Sequence, residues 1–329
     1  MRAKLTLSVS DLAHTRFALC PMWEVVTSFR ALIGTPVPAL HRGWAAQVRP
    51  RCAAAGLDHG WLADMIAPTG HLPDFLNPPP TGYARTLDEE LATIAATDPR
   101  QVRQDLDYLA AERGGRLPPR LRALYRDPPA QLPRLAAEIE AYWELALAPY
   151  WARIRAVLEA DVFHRARQAA GSGTARMLNN LHETVRWDGD SLLLTERHCR
   201  LTRIATGGGL VLAPSAFAWP RVLTRAVAPD PPQLAYPARG AATLWESRRE
   251  PRTDALAAVV GRSRALLLAE LDSPASTTEL AHRADLSAAA VSQHLTALHS
   301  AALVSAHRAG RSVLYARTAL ADALLDAQP

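Results

Sequence analysis

A few polar side chains near the C-terminal end carry the most specific chemistry in this sequence. In LSAAAVSQHLTALHS (residues 286–300), Ala289, Gln293, Thr296 and Ser300 recur at helical spacing, with Ser292 and His294 on their flanks. At about 100° per residue they line one face of a helix, opposite an apolar side of Val291, Leu295 and Leu298. Small residues allow close approach, a glutamine amide matches the edge of adenine, and a serine hydroxyl suits a phosphate oxygen, so the face fits the major groove of DNA. Ser287 is placed to cap this helix, and Asp285-Leu286 reads as a turn plugged by Leu286. Before the turn, Ser276-Thr277-Thr278-Glu279 is a capping box that starts a first short helix. After it, Leu303-Val304 opens a β-hairpin with Arg308, Ala309, Gly310 and Arg311 at its tip and Val313 and Tyr315 alternating in the return strand. Two arginines on a hairpin tip are suited to backbone phosphate or the minor groove. The candidate DNA-contacting residues are Thr278, Ser287, Ala289, Ser292, Gln293, His294, Thr296, Arg308, Arg311 and Tyr315, with His294 equally readable as a packing or capping residue.

Charge supports this locally. Residues 281–317 hold Arg283, Arg308, Arg311 and Arg317 against the single acid Asp285, whereas the chain from Leu256 onward balances six arginines with six acids. The whole chain is +5, and Lys4 is its only lysine, so the total charge is weak support for a nucleic-acid partner.

Elsewhere the possible chemistries are thinner. Asp161 and His164, with Glu159 close by, could form part of a metal site, but no further ligand follows at a recognisable spacing, and a surface pair or core histidine explains them as well. The arginines from Arg113 to Arg126 could touch phosphate but equally form a solvated face. The catalytic signatures GxSxG, HExxH, a Walker loop and a suitably placed GxGxxG are missing, and Gly207-Gly208-Gly209 precedes a strand instead of following one. No cofactor is expected. The alternatives to a DNA-binding protein are an enzyme or ligand-binding protein, with its site in residues 1–245 and an appended winged helix for targeting, and a winged helix used for protein or RNA contact.

The elements that position these residues can be read from the pattern. A length of 329 residues suggests two domains, and 49% hydrophobic with 21% charged residues is a globular composition. Residues 3–9 alternate as a strand. From Pro21 a helical stripe of Trp23, Val26, Phe29 and Leu32 runs to Gly34. Thr86 and Glu89 form a capping box for the first of two short helices, which part at Asp98-Pro99. Residues 134–170 are helical with a break at Pro149 and a stripe of Trp143, Leu147, Trp151, Ile154 and Leu158. Asp188-Gly189 signals a hairpin, and residues 209–224 and 231–238 read as further strands. Trp187, Phe217, Trp219 and Tyr236 could line a ligand pocket there or simply be core. The fold class is therefore α+β: a mainly helical N-terminal domain with a small antiparallel β region (residues 1–247), followed by a C-terminal winged helix-turn-helix (253–329). The latter begins with an amphipathic helix that breaks near Gly261.

Cys20, Cys52 and Cys199 are too few and too scattered for a disulfide framework and suit a reducing cytosol. Asp11, His14 and Arg16 interrupt any signal-peptide core, and no apolar run of about 18 residues occurs, so a cytoplasmic protein without a membrane span is expected.

Taken together, GRSRALLLAEL, ELAHRADLSAAAVSQHLTALHSAALV and HRAGRSVLYAR resemble the ArsR/SmtB-type winged-helix regulators over roughly the last 75 residues. The resemblance implies a homodimer built by the first and last helices (254–271 and 318–327) on an inverted-repeat operator of double-stranded DNA, repressing until a small-molecule inducer releases it. Many such proteins sense metals through a Cys-x-Cys pair on the first motif helix or Asp/His and His/Glu pairs on the last. Here LAHRADL has no Cys, and the last helix offers Asp322 and Asp326 but no His, so neither metal site carries over. Farther upstream, PYWARIRAVLEADVFHRAR, LHETVRWDGDSLLL and YPARGAATLWE resemble an uncharacterised domain that precedes this winged helix in regulators of high-GC bacteria.

Overall fold

Three hydrophobic cores organise the described residues. The structure, a computed structural model, describes residues 3–195, 201–204, 207–245, 253–309 and 312–326.

The chain opens with β1 (Ala3–Thr6), α1 (Val9–Ala13), β2 (Arg16–Phe17) and α2 (Pro21–Ile33). Next come α3 (Arg42–Ala54), α4 (Trp61–Met65), α5 (Leu87–Ala95), α6 (Pro99–Glu112) and α7 (Pro119–Arg126). Thr86 caps α5 as read: its hydroxyl accepts from Glu89 N, and the Glu89 carboxylate accepts from Thr86 N. The long helices α8 (Pro128–Ala146) and α9 (Trp151–Ser172) are separated by the 3-10 turn Ala148–Tyr150, where Pro149 lacks the N–H that would continue α8. α10 (Thr174–Asn179) then leads to β3 (Val185–Asp188) and β4 (Ser191–Leu194), which pair as the hairpin expected from Asp188-Gly189, with Gly189 at φ 65°. β5 (Leu201–Ile204), β6 (Val211–Ser215), β7 (Leu223–Arg225) and β8 (Gln233–Pro237) complete the first part.

The α+β class holds, but the β region is mixed instead of antiparallel. One sheet has the order β3-β4-β1-β5, with β1 parallel to β5; the other has the order β2-β6-β8-β7, with β2, β6 and β8 parallel. β1 inserts between β4 and β5, and β2 joins the edge of the second sheet beside β6, so both N-terminal strands pair with strands nearly two hundred residues later. The second sheet is buried on both faces, as parallel strands usually are. Val211, Ala213 and Ala235 face the helices of the first core. Leu212, Leu234 and Tyr236 face a second core with Leu5, Leu192, Leu194 and Met177. Trp23 of α2 reaches this sheet, its Nε1 donating to Gln233 Oε1 at 3.0 Å, and between α2 and α8 the Ser28 and Tyr142 hydroxyls lie 2.9 Å apart. The glycine run also has a structural role. The amides of Gly207 and Gly209 donate to Asp11 Oδ1 at 2.8 and 3.1 Å, and a Cβ at Gly209 would sit 2.3 Å from the His14 carbonyl oxygen.

The four aromatics that could line a pocket or be core do not converge on a pocket. Phe217 stacks on His41 in the first core, Tyr236 is buried in the second, Trp187 packs on that core's edge, and Trp219 is 49% exposed. Asp161 is likewise occupied within the protein, accepting from Tyr236 Oη at 2.7 Å and Arg239 N at 3.1 Å beside Arg165.

The third core belongs to α11 (Thr253–Val260), α12 (Arg262–Glu270), β9 (Ala275–Ser276), α13 (Thr277–Ala284), α14 (Ala288–Ser300), β10 (Val304–Ala309), β11 (Ser312–Arg317) and α15 (Ala319–Asp326). Gly261, at φ 89°, divides α11 from α12 as the sequence suggested. No described helix is long and apolar enough to cross a membrane.

Candidate nucleic-acid interface

The C-terminal part is built to hold one helix rigidly with its polar face outward. α13 starts at the expected capping box: Ser276 Oγ accepts from Glu279 N at 3.3 Å, and the Glu279 carboxylate accepts from Ser276 N at 2.6 Å. Asp285 ends α13 in the left-handed conformation (φ 52°), and Leu286 packs back on the core, which fixes the angle to α14. Ser287 caps α14 by accepting from Ala290 N at 3.2 Å. On α14, Val291, Leu295 and Leu298 are buried, while Ala289, Ser292, Gln293, Thr296 and Ser300 are exposed. Thr278 is exposed in the first turn of α13, and His294 is half-buried on the flank of α14.

Local bonding refines what this face offers. Thr296 donates its hydroxyl hydrogen to the Ser292 carbonyl at 2.9 Å, and Ser300 does the same to Thr296 at 3.0 Å. Thr296 therefore presents a methyl group and an accepting oxygen, which suit a thymine methyl or a cytosine amino group. Gln293 has both amide functions free for a bidentate contact with adenine.

The wing is formed by β10 and β11, paired from Val304↔Arg317 to Ala309↔Ser312. Arg308 is exposed near its tip, while Gly310 and Arg311 lie outside the described residues. Tyr315 is half-buried against the third core, so its ring is committed to packing. Arg317 is also removed from the basic surface: it is 5% exposed, donates to the Leu268 carbonyl at 3.1 Å and pairs with Asp322 at 3.0 Å. Arg283 donates to the Glu270 carbonyl at 3.3 Å. The cationic reach of the described wing thus rests on Arg308. Replacing it in Arg308→Ala is expected to flatten the slope of log affinity against log salt by about one unit. Titration at several salt concentrations checks this, and an unchanged slope would exclude a phosphate contact.

Sequence matches agree with this geometry. Residues 262–306 match the family described as bacterial regulatory protein, arsR family, a span that runs from the start of α12 through α14 into the wing. These residues are an arsR-family domain. Residues 86–243 match a family of unknown function (DUF5937). No curated protein and no solved structure matches the chain. The arsR-family domain makes the chain a DNA-binding transcriptional regulator.

Two features of the regulator were not legible in the sequence. One is a seam between its parts. The wing lies on α8 and the turn Ala148–Tyr150. Leu314 and Ala316 are 2% and 3% exposed, and His307 Nδ1 is 3.5 Å from Glu144 Oε2. Arg51 approaches Glu279 at 3.9 Å on the same side. Burial disfavours the Glu279 carboxylate, but hydrogen bonds from Ser276, with Arg51 and Arg283 nearby, hold its pKa below the usual value. The other is a cluster of His71, Asp74 and Asp105, whose ligand-type atoms lie within 4.8 Å of one another. Burial raises Asp74 to about 6; burial and repulsion from Asp74 raise Asp105 to about 7. Asp105 also accepts from Phe75 N at 2.8 Å and Gln101 Nε2 at 3.1 Å, so the fold uses it to tie the 3-10 turn Asp74–Leu76 to the middle of α6.

Proposed function

We propose that the chain is a homodimeric transcriptional repressor of the cytoplasm, not an enzyme, that holds an inverted-repeat operator through α14 and the wing and leaves it when a small-molecule inducer binds. The observation that carries this reading is the exposed face of Ala289, Ser292, Gln293 and Thr296 on a helix whose back is fully packed. A surface kept polar and small on a rigid support is what base reading requires.

Dimer formation is supported by what the first and last helices leave uncovered. α11 and α15 touch one another, yet Val259, Leu320 and Leu324 are 84%, 53% and 38% exposed. A two-fold related copy would cover the same apolar faces and set two α14 helices in successive major grooves, about 34 Å apart. The paired change Leu320→Glu and Leu324→Glu is expected to turn a dimer into a monomer in sedimentation. It should also weaken binding to a duplex selected from a random library by about 100-fold or more, because the second half-site no longer adds its contacts. A dimer that survives both changes, or a monomer that grips an inverted repeat tightly, would overturn this assembly.

A further inference from the structure

We propose that the cavity between the start of α5 and the two tryptophans Trp143 and Trp151 is the inducer site, that it takes a small aromatic carboxylate, and that residues 143–151 relay its occupancy to the wing. This rests on the reading of the chain as a ligand-released DNA-binding regulator.

The cavity measures about 270 Å³, small among ligand sites, and suits a compound of one or two rings. Its apolar walls are Leu19, Pro21 and Leu87 together with the tryptophans, whose rings are 4.8 Å apart at 60°. Such a pair offers a planar ligand one ring face and one ring edge. Its polar wall is cationic: Arg85 and Arg155 line it against the one acid Asp88. Arg85 is the informative residue. Its side chain is 10% exposed and held in place by donation to the Glu89 carbonyl at 2.7 Å and Thr93 Oγ1 at 3.0 Å. Its buried Nε has no hydrogen-bond partner, and the Glu89 carboxylate stands off at 4.0 Å. A buried donor left unmatched is destabilising, and a ligand carboxylate would satisfy it. Arg155, at the rim, already shares its charge with Glu159 at 2.8 Å. The site therefore matches a single negative charge better than a phosphate dianion.

The cavity also lies beside the seam. Trp143 faces the cavity, and the next residue, Glu144, faces His307 of the wing. The turn Ala148–Tyr150 carries β10 and β11, and the next residue, Trp151, is again cavity wall. A ligand packed on both tryptophans bears on the same short segment on which the wing rests. Packed segments shift between discrete arrangements more readily than they deform.

The test titrates the full chain with benzoate, indole-3-carboxylate and 2-naphthoate, each against its neutral amide, by calorimetry. At least one acid is expected to bind, with its amide about 10-fold weaker, and Arg85→Gln is expected to remove that preference. Arg155→Gln, exposed and harmless to packing, should reduce it in the same direction. No binding by any acid up to about 5 mM, or amides as good as acids, would overturn the site. The second arm measures affinity for the library-selected duplex with and without the bound acid. A loss of about 10-fold is expected on ligand binding. Glu144→Arg, which opposes the seam without lining the cavity, should bind the acid up to about 10-fold more tightly, because the parted form is already populated, and should already show the weaker DNA binding. Ligand binding that leaves DNA affinity unchanged, or a Glu144→Arg variant with a full response, would overturn the relay. Failure to select any duplex would instead reject the DNA-binding reading, while calorimetry still decides the cavity.

Discussion

Thr296→Glu is expected to lower affinity for the selected duplex by about 100-fold or more while leaving the folded protein unchanged. Thr296 sits in the middle of the exposed face of α14, between Gln293 and Ser300, with its hydroxyl tied to the Ser292 carbonyl. A glutamate there is too long for close approach and brings a negative charge against phosphates and base acceptors. Each wrong contact in such an interface costs about 1–3 kcal/mol, and here repulsion and lost contact act together. Because the side chain is exposed, the thermal midpoint should move little. Fluorescence anisotropy with labelled duplex, alongside a melting curve, separates the two effects. Retained binding by a normally folded variant would show that another surface reads the DNA.

The second large effect concerns pH. Burial raises Glu24 to about 8, against the Ala216 amide that donates to both its oxygens. Burial likewise raises Glu90 to about 8, although Met22 N donates to its Oε2 at 2.7 Å. Both pKa values lie above the unfolded value, so the native state keeps protons that the unfolded chain has released. The stability they contribute is complete below about pH 4.5 and is lost as pH rises toward 8. His41 has the opposite sign: burial lowers it to about 4, so its contribution is lost as pH falls below the ordinary imidazole value. Asp105, raised to about 7, titrates with the same sign as the two glutamates, so the clean window is about pH 7 to 8. Across it, each retained proton is worth about 1.4 kcal/mol per pH unit, so denaturant midpoints should fall steadily. Glu24→Gln with Glu90→Gln keeps the accepting oxygens, removes the titration and should flatten the fall. A wild-type midpoint that rises across this window would refute the assignment.

Much of this could be read from the sequence because the deciding interactions are local. The Thr86/Glu89 and Ser276/Glu279 boxes, the Asp188-Gly189 turn, the break at Gly261 and the buried stripe of α14 all involve residues a few positions apart, where spacing determines geometry. The misreadings share another cause. Arg317 counts toward the local positive charge and Tyr315 among the candidate DNA contacts by their place in the sequence, but one is buried on Leu268 and Asp322 and the other leans on the third core. The parallel pairing of β2 with β6 and β8, the partner of Asp161, and the neighbours of Trp143 and Trp151 all depend on approaches across long stretches of chain. Periodicity marked the tryptophan stripe as apolar; it could not show that part of it borders a cavity with an arginine on the far side.

The seam between wing and first domain has a thermodynamic consequence. A partly exposed pair such as that of His307 with Glu144 contributes at most about 1 kcal/mol. The two parts, however, belong to one chain, so each meets the other at an effective concentration of roughly a millimolar. Contact surfaces that as separate molecules would associate at only about 0.1 mM would then stay together about nine-tenths of the time. A ligand preferring the parted form by about 3 kcal/mol would reverse that balance. Covalent connection thus allows a weak contact to be mostly formed at rest and still be undone by the binding energy of one small molecule.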